Sequence, residues 1–123
     1  MEQCTHKNRY IGGHSLGGSI AANYAAKHGD EINGLILFAS YSTKALNDDL
    51  CVISIYGTED EVLNMEKVSE GREKAVNYFE CAIEGGNHAQ FGNYGEQKKD
   101  GTARISFEEQ QKFTVDYIIS IIR

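Results

Sequence analysis

The chain has 123 residues, enough for one domain, and its 41% apolar and 24% charged content is that of an ordinary soluble globular protein. Its formal net charge of −6 argues against nucleic acid and anionic membrane surfaces as partners, because both reward clustered Lys and Arg. No apolar run is long enough to span a bilayer, and Met1 to Lys7 lacks the apolar stretch of a signal peptide.

In chain order, Tyr10-Ile11-Gly12-Gly13 reads as a short strand entering a Gly-rich turn. Leu16 to His28 reads as a helix closed by Gly29, a residue suited to a left-handed cap. Within it Gly17, Ala21 and Ala25 recur every four residues, as do Gly18 and Ala22, so the helix is able to lie close to a sheet. Leu35 to Ala39 and Val52 to Tyr56 are continuous apolar runs, as expected of parallel strands covered on both faces. The segment between them, Tyr41 to Leu50, is polar and too short for a full crossover helix.

A helix is expected from Met65 to about Val76 with Asn64 as its N-cap, and then a strand from Tyr78 to Glu84 ended by Gly85-Gly86. Asn87 to Ile105 is polar and aperiodic, and loops of this length in a compact domain are often functional. Ser106 and Glu109 form a capping box that opens a last helix through Ile122. Its apolar residues cover more than one face, which implies deep burial or a contact beyond this chain. Strands alternating with helices make this an α/β chain, with about four mostly parallel strands and flanking helices in a single unit over residues 1–123.

Cys4, Cys51 and Cys81 show no CxxC pairing or zinc-like spacing. They are expected to be reduced thiols, with Cys51 and Cys81 buried in strands. Reduced cysteines and no leader point to the cytoplasm for the chain as given, although a longer relative could carry an anchor or export signal. No metal or organic cofactor is called for.

Gly13-His14-Ser15-Leu16-Gly17 matches G-x-S-x-G. The spacing has a mechanical reason. A serine on a sharp strand-to-helix turn has strained backbone angles, and glycines two residues to either side are expected to prevent collision. The turn exposes the hydroxyl at the positive end of the next helix, where the Leu16 N–H points at a developing oxyanion. A serine nucleophile also needs a base, and the base an orienting acid. Asp60 lies just beyond the Val52 to Tyr56 strand, with Glu59 and Glu61 as neighbours, and His88 follows the Tyr78 strand directly. Of the other histidines, His6 lies in the polar N-terminus, His28 at a helix end facing solvent, and His14 is expected to point away from the base position.

These motifs resemble the α/β-hydrolase family. Gly12 to Gly18 is similar to the nucleophile elbow of its esterases and lipases, and Gly57-Thr58-Glu59-Asp60-Glu61-Val62 to its acid loop. Glu84 to Gly95, with His88 followed by Gln90-Phe91-Gly92 and Tyr94-Gly95, resembles an uncharacterised bacterial subgroup. The resemblance implies a Ser15–Asp60–His88 triad acting on a small-molecule carboxylic ester, with Leu16 N–H as oxyanion donor. It implies equally that the chain is the C-terminal half of such a sheet, without the preceding strands and the loop carrying a second oxyanion N–H. The nucleophile strand then becomes a sheet edge, open to a second copy or to an N-terminal half. The alternative reading is an inactive fragment or a binding module that retains the triad residues.

Overall fold

The computed structural model describes residues 9–92 and 98–122. Cys4, His6 and the Tyr94-Gly95 part of the loop motif lie outside the described residues. Four strands, β1 (Tyr10–His14), β2 (Gly34–Phe38), β3 (Cys51–Gly57) and β4 (Asn77–Ile83), form one sheet in the order β1-β2-β3-β4. Every neighbouring pair is parallel, with His14 opposite Phe38, Phe38 opposite Ile55 and Gly57 opposite Ile83. Among the described residues β1 is therefore an edge strand.

Alternation along the strands sorts the apolar side chains between two cores. Leu35, Leu37 and Val52 face α1 (Leu16–Lys27) and pack on Ala21, Ala22 and Ala25. Ile53, Ile55, Phe79 and Ile83 face the other way and pack on Ile121 of α3 (Phe107–Ile122). The small residues of α1 act as the sequence pattern suggests, with Gly18, Ala21, Ala22 and Ala25 as its buried stripe. The short helix α2 (Met65–Arg72) is tied to β4 by a shared carboxylate. Arg72 donates to both oxygens of Glu80 at 2.8 Å, and Tyr56 and Tyr78 donate to the same group at 2.9 Å.

Several local expectations are corrected. Gly29 is not a left-handed cap: His28 closes α1 at φ −125°, and Gly29 instead makes room for the Asn47 side chain. Asn64 does cap α2, accepting from Lys67 N–H at 3.2 Å, but the helix stops at Arg72. The chain turns there because the Lys74 carbonyl is taken by Leu46 N–H at 2.8 Å, anchoring the irregular connection between β2 and β3. The capping box of α3 forms as expected, Glu109 N–H donating to Ser106 Oγ and Ser106 N–H to Glu109 Oε1. Deep burial of α3 does not follow, since Phe113, Val115 and Ile119 stay exposed.

Cys51 is disulfide-bonded, so the three cysteines are not all thiols, while Cys81 is free and half-buried in β4. A position buried in a strand suits a half-cystine as well as a thiol, because both are apolar. The disulfide removes one ground for expecting a reducing, cytoplasmic setting. Among the described residues no helix is long and apolar enough to cross a membrane.

The glycine rule of the turn holds on one side only. A methyl at Gly13 would sit 2.4 Å from the Gly17 carbonyl carbon and oxygen, whereas one at Gly17 meets nothing within 4 Å. Gly13→Ala is therefore expected to lower stability by about 1–3 kcal/mol. Gly17→Ala should be neutral or stabilising by up to about 1 kcal/mol, since alanine suits a helix better. Urea unfolding midpoints of the two variants give the comparison, and equal losses would discard it.

Candidate active site

The candidate residues leave the sheet at its carboxyl end, the end where parallel α/β sheets form ligand crevices. Ser15 follows β1 immediately and adopts φ 59°, ψ −122°, a strained conformation for a residue with a side chain. It is held at both ends. Its N–H donates to Phe38 O at 3.0 Å, and its carbonyl accepts from Gly18 and Ser19 N–H at 3.0 and 3.2 Å. Leu16 opens α1, so its N–H belongs to the turn whose amides have no carbonyl partner in the helix. Its side chain is 73% exposed.

Asp60 and His88 meet at the ends of adjacent strands, β3 and β4. His88 Nδ1 lies 2.7 Å from Asp60 Oδ2, and both side chains are 1% exposed. The other carboxylate oxygen accepts from Val62 and Leu63 N–H at 2.8 Å each, which fixes the plane of the acid. A carboxylate facing Nδ1 places the imidazole proton there and leaves the lone pair on Nε2. That Nε2 is buried and has no hydrogen-bond partner among the described residues. The structure thus joins Asp60 to His88 but makes no hydrogen bond from Ser15 Oγ to His88.

The backbone carrying His88 has no ladder of its own and is held by side chains from elsewhere. Asp100 accepts from His88 N–H at 3.1 Å and Ala89 N–H at 2.9 Å. Gln110 of α3, 0% exposed, accepts from Asn87 N–H at 3.0 Å and donates to Asn87 O at 2.8 Å. The loops after β3 and β4 are stitched directly, Glu59 N–H to Gly86 O at 2.8 Å and Gly85 N–H to Thr58 Oγ1 at 2.8 Å. Gly57 permits this approach, since a methyl there would lie 2.2 Å from the Gly86 carbonyl carbon.

His14 does not point away from the base, as the sequence suggested. Its Nε2–H donates to His88 O at 2.7 Å, and the two rings are 4.7 Å apart. The elbow turns the residue before the serine toward the loop after β4, a placement that adjacency in the chain does not reveal. Asp100 and Gln110 were likewise hidden among other polar residues. For Gln110 the available signal was a polar side chain one residue beyond the capping box, on the helix face that has to be buried.

Residues 1–112 match the sequence profile of the Alpha/beta hydrolase family. The chain belongs to that family. Among solved structures it is similar in fold to a hydrolase described as CIB-like from Thermoplasma acidophilum, with a TM-score of 0.63 and 19% identity over 89% of this chain and 49% of that one. A monoacylglycerol lipase from Paleococcus ferrophilus gives a TM-score of 0.61 at 15% identity, covering 93% of this chain and 69% of the other. Thermogutta terrifontis esterase 2 gives 0.55 at 15% identity, covering 91% and 54%. This α/β hydrolase chain spans about half the length of the first of these relatives. No curated protein sequence matches it.

Burial holds the His14 imidazole below its ordinary pKa of 6.5; the His88 carbonyl, Asp60 and Asp100 oppose this and the charge of His88 adds to it. Just below 6.5 the unfolded chain then binds a proton that the native chain does not. The contribution to stability is complete above that pH and is lost as pH falls toward the lowered native value. Replacing His14 with Gln should flatten this part of a plot of urea midpoint against pH. An unchanged slope there would assign it to other groups.

Proposed function

We propose that this chain carries the nucleophile, acid and base of a serine hydrolase acting on carboxylic esters. The observation that supports the reading best is the buried Asp60–His88 pair, with Nε2 unpartnered, at the same end of the sheet as the strained Ser15 turn. In this mechanism Ser15 Oγ attacks the ester carbonyl while Nε2 takes its proton, and Asp60 stabilises the resulting imidazolium. Leu16 N–H donates to the oxyanion of the tetrahedral intermediate. Collapse releases the alcohol, which takes the proton back from His88, and water repeats the sequence on the acyl-serine. The family membership and the names of the lipase and esterase neighbours agree with ester chemistry.

The test uses a fluorophosphonate probe, because the serine oxygen displaces fluoride from phosphorus and leaves a stable adduct. The solved structure of Thermogutta terrifontis esterase 2 is of the protein phosphoramylated by tabun. Intact mass should show one adduct on the wild type and none on Ser15→Ala. Asp60→Asn should slow labelling on the order of 10³–10⁴-fold, since the proton then sits on the wrong nitrogen. A folded wild type that stays unlabelled would replace this reading with that of a non-catalytic module.

The same reading extends to assembly. β1 is the edge strand of the sheet among the described residues, and α1 beside it exposes Leu16, Ile20 and Tyr24. A second copy or an N-terminal half would cover it. Light scattering is expected to show association of the purified chain, and a compact monomer at high concentration would count against pairing at this edge.

A further inference from the structure

We infer that His14 is a positioning residue for the base, its Nε2–H gripping the His88 carbonyl so that the imidazole is held in register with Ser15. The inference rests on the serine hydrolase reading above. β1 and β4 occupy opposite sides of the four-strand sheet, so the elbow and the base loop start about 14 Å apart at ordinary strand spacing. The sheet ladder sets the position of each strand end but leaves the path of the loop after β4 open. That loop returns over the carboxyl ends of β3 and β2 to reach the elbow.

Contact between the two is made through the residue next to the nucleophile. The His14 ring donates to His88 O at 2.7 Å, and its centroid is 4.7 Å from that of His88 and 5.9 Å from that of Phe91. Phe91 is in turn 5.9 Å from Phe38, whose carbonyl receives the Ser15 N–H. The backbone of His88 is thus held on its N–H by Asp100 and on its carbonyl by His14. Asp100 belongs to the loop, whereas His14 belongs to the elbow. Of these two contacts, the second relates the base directly to the serine. Because His14 and Ser15 are consecutive, any movement of the elbow carries the grip with it.

Nitrogen-15 spectra of ring-labelled histidine provide the first test and need no variant. His14 is expected as the Nε2–H tautomer and His88 as the Nδ1–H tautomer; a His14 ring with no proton on Nε2 would overturn the inference. The second test compares His14→Gln, which keeps a donor at similar reach, with His14→Met, which removes it. Fluorophosphonate labelling by His14→Met should show a maximal rate reduced about tenfold to a hundredfold at unchanged probe affinity, with His14→Gln recovering most of it. The His88 ring signals should move in His14→Met and return in His14→Gln. Wild-type labelling and an unmoved His88 signal in folded His14→Met would refute the role. Were the wild type itself unlabelled, the hydrolase reading would fail, and the His88 signals would still decide whether His14 positions the ring.

Discussion

A histidine ring taken out of water loses the hydration of both nitrogens, and the protein must supply what is lost where the ring is to stay ordered. In this chain the supply is asymmetric. Nδ1 of His88 is met by a carboxylate that is itself fixed by two backbone amides, while Nε2 is left without a partner. Because His88 sits in a loop with no ladder, its backbone also needs non-local partners, and these come from Asp100, Gln110 by way of Asn87, and His14. Leaving one such buried group unpaired costs about 1–3 kcal/mol, so the loop is held by many contacts of similar size.

Ser15 presents the opposite problem, a backbone in a costly conformation rather than a side chain short of partners. The first turn of α1 and the end of β2 resist its relaxation, through the hydrogen bonds to the Ser15 carbonyl and from its N–H. The absence of a side chain on Gly13 lets α1 close against β1, and the small-residue stripe of α1 keeps the helix against the sheet. The strained turn is thus sustained by the packing of α1 against β1 and β2. Strain of about 1–3 kcal/mol persists only where the surroundings over-determine it.

The elements were largely legible in the sequence because their signals are local. Apolar runs bounded by glycine and polar residues marked the strands, and the Ser106–Glu109 box marked the start of α3. The misplaced ends have non-local causes. α2 stops early because Lys74 is engaged by Leu46, and Gly29 serves the approach of Asn47 rather than a cap. The state of Cys51 was equally illegible, since a bonded and a free cysteine have the same place in a strand pattern.

For the site, chain order and strand ends were enough to single out Ser15, Asp60 and His88, because each follows its strand within a few residues and parallel strands bring those ends together. The residues that hold His88, namely His14, Asp100 and Gln110, follow no such rule. They come from the elbow, the long loop and the last helix, segments that lie far apart in the chain and converge on the loop carrying His88. The sequence by itself determined the kind of sheet and which end of it carries the candidate residues, since hydrophobic periodicity and turn glycines act over a few residues. Tertiary structure alone decided how His88 is gripped, because a hydrogen bond between residues 14 and 88 depends on where two loops come to rest in space.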